Sequence, residues 1–279
     1  MSVPIDRIAD CIVLHDWEGE LDQAKWFSTA CQFFFEVDST PDLGEGEDGT
    51  GQVKSLKPKT IEKRLAEGAH FSGISLYATL PPHTDLGSQW KVFAGFNVTG
   101  KRKKVLAFIY EAGGTELDVG LFADLVFRVS SFAKLSYGYG YQRSFAKGPA
   151  MFAYDLAHGF DKRRPEDRAE YAQMSLWYKE RLDLELENKP AGFRHLLGLQ
   201  RDVFPFNVLS ASHLSQPIEG LSLEKWIQAN AARGHLHTIT PTIWSWTIPV
   251  KQVPGIRDHL QMAGLLISRP PHSSGVQQS

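Results

Sequence analysis

Residues 90–112, WKVFAGFNVTGKRKKVLAFIYEA, contain two apolar runs on either side of a short basic turn that includes a glycine. Both runs are rich in Val, Ile, Phe and Tyr, which favour strands, and the connection between them suits a hairpin. A third run of the same kind, HFSGISLYATL, precedes them at residues 70–80. The three segments therefore predict an antiparallel meander.

Segments with helical periodicity surround this meander. Apolar residues recur at helical spacing in ELDQAKWFSTACQFFFE and DVGLFADLVFRVSSFAKL, at residues 20–36 and 118–135. Further helices are predicted at 161–187, 220–234 and 255–266, and further strands at 136–145, 202–210 and 235–250. The mixture predicts an α+β fold, with mixed or antiparallel sheets flanked by helices. Strands, a helix and a strand in each half leave open two related αβ modules packed together, although the sequence contains no detectable internal repeat.

The length and composition fit one ordered globular domain. The 279 residues are 42% hydrophobic and 22% charged, with a formal net charge of -2. We expect a single domain over 1–279, sub-modules at 1–160 and 161–268, and a disordered tail at 269–279. The near-neutral charge gives no global attraction to nucleic acid or anionic lipid. The first twenty residues resemble neither a signal peptide nor a membrane span, which predicts a cytoplasmic protein.

Two groups of residues are candidates for a catalytic or metal site. Ser210, Ser212, His213 and Ser215 cluster before a predicted helix, but no G-x-S-x-G surrounds them, so we interpret them as turn and cap residues. His235 and His237 fall on one face of a strand, yet no third ligand follows at a fixed spacing. We therefore predict no catalytic residue, no metal and no cofactor. A metal-assisted or Ser-based hydrolase that uses these histidines remains the first alternative.

Two further segments leave structural and binding interpretations open. Tyr137, Tyr139 and Tyr141 in YGYGY alternate along a strand, where they either pack the sheet or form a binding surface. GKRKK, at residues 100–104, is typical of a solvated turn, but a basic cluster flanked by aromatic strands also suits a nucleic-acid-binding module, the second alternative.

The segment VDSTPDLGEGEDGTGQ, at residues 37–52, predicts a long surface loop because Gly, Pro, Ser and Asp cluster in it without periodicity. The acidic spacing does not match an EF-hand loop. We interpret the cluster as either a solvated loop or an acidic arm for a basic partner. Its acidic residues are Glu36, Asp38, Asp42, Glu45, Glu47 and Asp48.

The C-terminal half carries a resemblance to a family. From Tyr137 to Leu266 the segments YGYGY, GPAMFAYDL, LQRDVFPFNVLSASHL, GLSLEKWIQANAARGHL, WSWTIP and IRDHLQMAGLL occur in this order. In these segments the chain resembles bacterial immunity proteins of polymorphic and type VI secretion toxins, nearest to those associated with nuclease effectors of the VRR-Nuc type.

The resemblance implies a non-catalytic cytoplasmic protein that binds a cognate toxin or effector and blocks its active site or substrate groove. Membrane association and direct nucleic-acid binding are not expected. The acidic residues of 36–48 and the three tyrosines of YGYGY are the candidate partner-binding residues. An acidic surface suits such a partner because it substitutes for phosphates in front of a basic nuclease cleft.

Overall fold

The computed structural model describes residues 7–15, 17–80, 89–99, 103–156, 163–186 and 194–271. The chain divides into two compact units, Met1–Phe160 and Asp161–Ser279. Antiparallel strands flanked by helices confirm the α+β prediction. No helix in the described ranges has both the length and the apolar character needed to cross a membrane.

The first unit contains most of the strands. Its elements in chain order are β1 (Ile8–His15), α1 (Gln23–Glu36), β2 (Leu43–Glu47), β3 (Val53–Leu56), α2 (Pro58–Ala66), β4 (Gly73–Thr79), β5 (Trp90–Thr99), β6 (Lys103–Glu111), α3 (Val119–Ser130), β7 (Tyr137–Ser144) and α4 (Pro149–Ala153).

These strands form an antiparallel sheet in the order β7-β1-β6-β5-β4-β2-β3. The pairing of β4 with β5 and of β5 with β6 confirms the predicted meander. Strand β1 lies between β6 and β7, and all but its first residue are buried. The sequence does not predict an eight-residue strand there, because only four apolar residues in succession mark it.

Aromatic packing fixes α1 against one face of this sheet. Trp26 contacts Phe96 edge-on at 4.8 Å between ring centroids, and Phe33 contacts Phe108 at 5.3 Å. Edge-to-face pairs add about 0.5–1.5 kcal/mol each to the hydrophobic gain of burial. Asp22 caps the helix by accepting a hydrogen bond from the Lys25 amide. Helix α1 therefore confirms the amphipathic pattern over residues 20–36.

The prediction of a long surface loop over 37–52 is wrong. Residues 43–47 form strand β2, which pairs with β3 on one side and β4 on the other. Gly44 and Gly46 permit this packing: a Cβ atom at position 44 would lie 2.6 Å from Ile61 Cδ1, and one at 46 would lie 2.8 Å from the Phe71 ring. The glycines are therefore required by close packing on the sheet, and they do not mark a loop.

The second unit is smaller. Its elements are α5 (Pro165–Leu186), β8 (Phe206–Ser210), α6 (Ala211–Leu214), β9 (Pro217–Ile218), β10 (Leu221–Ser222), α7 (Leu223–Gln228), β11 (His235–Thr240), β12 (Ile243–Thr247) and α8 (Val253–Met262). Strand β12 pairs antiparallel with both β11 and β8. The single strand expected over 235–250 is a hairpin, because the chain turns at Pro241 and Thr242.

Two ion pairs of the second unit converge on one buried carboxylate. Asp202 accepts from Arg257 Nε at 2.7 Å and from Arg269 Nε at 3.0 Å. Residues 272–279 of the expected disordered tail, 269–279, lie outside the described residues, whereas Arg269 also donates to Gln173 at 3.0 Å. The start of the predicted tail is therefore bonded to the unit.

Gly234 provides a test of the second unit. It adopts φ +89° and ψ -164°, which is accessible essentially only to glycine, and an added Cβ would lie within van der Waals overlap of the Thr247 carbonyl oxygen. We expect Gly234→Ala to lower the free energy of unfolding by about 2–4 kcal/mol in urea denaturation.

Gly255 is the matched control, since it lies in α8 with nothing within 4 Å of an added Cβ. Gly255→Ala should leave stability unchanged or raise it by about 0.5–1 kcal/mol. Equal losses in the two variants would contradict the backbone argument.

Candidate functional site

A cavity of about 300 Å³ lies in the first unit, on the sheet face that β2, β4, β5 and β6 share. Strand registers explain which residues line it. In one row across the sheet, Val53, Glu47, Gly73, Asn97 and Val105 are directly opposite one another. The neighbouring row of the same face runs Ser55, Glu45, Ser75, Gly95 and Ala107. Residues of both rows therefore project on the same side.

Small residues make the depression and Tyr154 forms part of its wall. Gly73 and Ser75 follow each other on this face of β4, where larger side chains would fill the space. A Cβ atom at Gly95 would lie 2.5 Å from the Tyr154 hydroxyl, so the glycine is what allows the tyrosine to reach the sheet. The Tyr154 ring also packs edge-on against Phe93 at 6.1 Å between centroids.

Two carboxylates give the cavity its charge. Glu45 and Glu47 are half-buried. Glu45 accepts a 2.8 Å hydrogen bond from the Tyr77 hydroxyl, and the side-chain amide of Asn97 donates to Glu47 at 3.4 Å. Within the part of the chain that the structure describes, neither carboxylate forms an ion pair. The cavity therefore carries acidic groups that are oriented by neutral donors.

The Tyr154 hydroxyl is the least satisfied group of the cavity wall. Its oxygen is fully buried and has no hydrogen-bond partner among the described residues. Burial, with a smaller contribution from Tyr77, raises the pKa of Tyr154 far above its ordinary value, so the group stays a neutral hydroxyl. A buried polar group without a partner costs about 1–3 kcal/mol, which a ligand that hydrogen-bonds to it would recover.

The other acidic residues predicted to bind a partner have partners or turn roles in the first unit. Glu36 forms a bidentate ion pair with Arg128 at 2.7 and 2.8 Å. Asp42 accepts from the Thr79 amide and hydroxyl, and Asp48 accepts from Thr50 in the β2-β3 turn. Asp38 adopts φ +50° just after α1. Of the six acidic residues, Glu45 and Glu47 are the two that line the cavity.

The three tyrosines of β7 are buried, which corrects their assignment to a partner-binding surface. Tyr137 and Tyr139 are 0% exposed and Tyr141 is 5% exposed. The Tyr139 ring lies 5.4 Å from that of His15, and the Tyr141 hydroxyl donates to the Pro149 carbonyl. The row packs the sheet, which is the first of the two interpretations of YGYGY.

The Ser/His cluster of the second unit is a helix cap. The Ser210 amide donates to His213 Nδ1 at 3.3 Å, which places the imidazole over the first turn of α6. His213 is fully buried, whereas His235 and His237 are exposed on β11, and β12 lies between β11 and the strand that leads into His213. The convergence that the hydrolase alternative requires is therefore not seen in the described residues.

A metal site and the basic cluster are the remaining candidates. The described residues contain no group of three or more His, Cys, Asp or Glu side chains arranged to hold a metal ion. Residues 100–102 of the basic cluster lie outside the described residues. Lys104 donates to the carbonyls of Trp17 and Gly19, so this lysine has a structural role in the first unit.

Sequence reasoning missed the polar residues that complete the cavity, namely Ser75, Asn97 and Tyr154. The alternation Gly44-Glu45-Gly46-Glu47 was the available signal for β2, because it places both acids on one face of a strand. No local signal identifies Tyr154, which reaches the cavity through tertiary packing alone.

Removal of the Tyr154 hydroxyl tests its unsatisfied state. We expect Tyr154→Phe to leave the free energy of unfolding unchanged or to raise it by up to about 1 kcal/mol, because no internal hydrogen bond is lost. Tyr77→Phe is the matched comparison and should lose about 1 kcal/mol, since its hydroxyl donates to Glu45. A larger loss for Tyr154→Phe than for Tyr77→Phe in urea denaturation would show that the hydroxyl has a structural partner.

The buried His213 predicts a pH dependence of stability. Burial, and then the neighbouring His195, lowers the pKa of His213 to about 3, compared with about 6.5 in an unfolded chain. Between these values the unfolded state binds a proton that the folded state does not, so stability falls as the pH falls. The expected slope is about 1.4 kcal/mol per pH unit below about pH 6.

His213→Gln retains a side chain that accepts from the Ser210 amide but cannot titrate. Urea denaturation at about pH 7, 6 and 5 should give a shallower loss of stability for this variant than for the wild type. Identical slopes would show that His213 titrates normally in the folded protein.

Comparison with known proteins gives a fold relationship. No protein-family model matches the chain, and no curated protein matches it. A solved structure, the Pseudomonas aeruginosa T6SS protein PA0821, is similar with a TM-score of 0.54 and 12% sequence identity, covering 94% of this chain and 76% of that chain. At this identity the likeness establishes a shared fold over nearly the whole of this chain.

Proposed function

We propose that this chain is an immunity protein that binds a cognate type VI secretion toxin in the cytoplasm and neutralises it by covering its active site or substrate groove. The acidic cavity of the first unit carries this proposal. Glu45 and Glu47 have no ion pair among the described residues, and they line a cavity together with Tyr154, whose buried hydroxyl has no partner there. Such an arrangement favours a positively charged partner group.

The fold relationship supports the same biological setting. The similar solved structure is described as a T6SS protein, and the likeness covers 94% of this chain. The segments between Tyr137 and Leu266 independently resemble immunity proteins of secreted toxins. The first line of support concerns nearly the whole fold, and the second concerns the segments from Tyr137 to Leu266. The cavity concerns the interaction itself.

A nuclease is the class of toxin that the charge of the cavity favours. Proteins that cleave nucleic acids neutralise phosphates with Lys and Arg side chains, so their substrate grooves are basic. An acidic surface on an inhibitor is complementary to such a groove and accelerates association. The near-neutral charge of the whole chain, -2, means that this complementarity must be local.

Co-expression with the product of the adjacent toxin-type gene tests the proposal. We expect this chain to restore growth of cells that express the toxin, and the two proteins to co-elute on size exclusion with nanomolar or tighter affinity. A catalytically inactive toxin provides the control for complex formation without toxicity. Absence of both rescue and complex would exclude the proposed function for that pair.

Salt dependence then tests the electrostatic part of the proposal. Between about 50 and 500 mM NaCl the association rate constant should fall by about tenfold or more, while the dissociation rate constant changes much less. Stopped-flow mixing of this chain with the inactive toxin measures both. An association rate that does not respond to salt would contradict an acidic recognition surface.

A further inference from the structure

We propose that the cavity between β2 and Tyr154 is a socket for one arginine side chain of the partner protein. This inference rests on the proposed function for the identity of the partner. The chemistry of the socket follows from its own residues, which are two carboxylates, a buried hydroxyl and a neutral amide. It therefore has a test that does not require the toxin.

Spacing of the two carboxylates favours a guanidinium. Glu45 and Glu47 are alternate residues of β2, which separates their Cα atoms by about 6.5–7 Å along one face. A planar guanidinium carries N–H groups on several edges and bridges acceptors at such a separation. A lysine ammonium is a compact point charge that is held by one carboxylate at a time and is more strongly hydrated.

The charges around the cavity also favour a cationic side chain. Both carboxylates are half-buried, and in the described part of the chain their hydrogen-bond donors, Tyr77 and Asn97, are neutral. Carboxylates that are partly removed from water gain most from a cation that is removed from water with them and that hydrogen-bonds to them. One cationic side chain meets this requirement, whereas a phosphate or an acidic peptide would be repelled.

The hydroxyl of Tyr154 supplies a third, independent acceptor. Tyr154 lines the cavity, and its hydroxyl oxygen is buried with no partner among the described residues. Gly95 holds open the space that brings this oxygen to the sheet, because a Cβ there would lie 2.5 Å from it. A guanidinium that enters between the carboxylates has N–H groups left over for this oxygen, since it carries five donors.

Size limits the occupant to a single side chain. The cavity measures about 300 Å³, at the lower end of the range for ligand sites. A peptide strand or a nucleic-acid segment exceeds it. A divalent cation such as Ca²⁺ takes six to eight oxygen ligands, and no cluster of acidic and histidine side chains suited to a metal occurs among the described residues.

A titration with small probes tests the socket in the intact chain. The probes are N-acetyl-L-arginine N-methylamide, the corresponding lysine compound, and the corresponding citrulline compound as a neutral isostere of arginine. We expect the arginine probe to shift the backbone amide resonances of residues that line the cavity, such as Gly73, Ser75 and Asn97, with millimolar affinity. The lysine probe should bind at least about threefold more weakly, and the citrulline probe at least about tenfold more weakly.

Two variants separate loss of the socket from loss of folding. The double variant Glu45→Gln/Glu47→Gln removes both charges but retains acceptors, and Ser75→Val fills the floor without a change of charge. Each should weaken binding of the arginine probe by about tenfold or more while the amide spectrum stays dispersed. The charge-matched control is Glu62→Gln/Glu67→Gln, which changes two exposed residues, one in α2 and one directly after it, and it should bind as the wild type does.

Equal binding of the arginine and citrulline probes, tighter binding of the lysine probe, or shifts located away from the cavity would overturn the proposal. Tight Ca²⁺ binding that displaces the arginine probe would identify a cation site and would overturn it as well. Binding of the arginine probe by a chain that does not bind the toxin would refute the proposed function but not the socket. Toxin binding that is unaffected by Glu45→Gln/Glu47→Gln would refute the socket but not the proposed function.

Discussion

The alternation of β2 side chains between the two faces of the sheet determines where the candidate site lies. Successive residues of a strand face opposite sides of the sheet. Gly44 and Gly46 face Ile61 and Phe71, where no side chain fits, so the residues between and after them must face the other side. Those residues are Glu45 and Glu47, and a shift of the register by one residue would exchange the two faces.

The opposite face becomes a cavity because small residues continue across the neighbouring strands. Gly73 and Ser75 on β4 and Gly95 on β5 leave a depression beside the carboxylates. Tyr154, which follows α4, approaches the sheet over Gly95. The site is thus assembled from segments that are distant in the chain, and the meander of β4, β5 and β6 supplies its floor.

The sequence predicted those parts of the fold whose signals are local. The α1 helix and the β4-β5-β6 meander have long periodic patterns, and both are present. Strand β2 has the composition of a loop because Gly and Asp are depleted in strands in general, but here packing against Ile61 and Phe71 requires glycine. Strand β1 was missed because it is buried on both sides and shows no alternation.

The candidate site was predictable only in part, because the local sequence does not show which remote residues its side chains contact. The acidic composition of residues 36–48 indicates Glu45 and Glu47 as candidates, but the local sequence does not distinguish them from Glu36. Glu36 forms an ion pair with Arg128, which lies 92 residues away in the chain. The tyrosines of β7 alternate along the strand as those of a binding surface would, but they are buried. In both cases the partner that decides the role of the side chain comes from a remote segment.

The most direct measurement is the structure of this chain in complex with its toxin. We expect an arginine guanidinium of the toxin inside the cavity, within hydrogen-bond distance of the Glu45 and Glu47 carboxylates and of the Tyr154 hydroxyl. An interface that leaves this cavity open to solvent, or that fills it with an uncharged side chain, would refute the arginine socket.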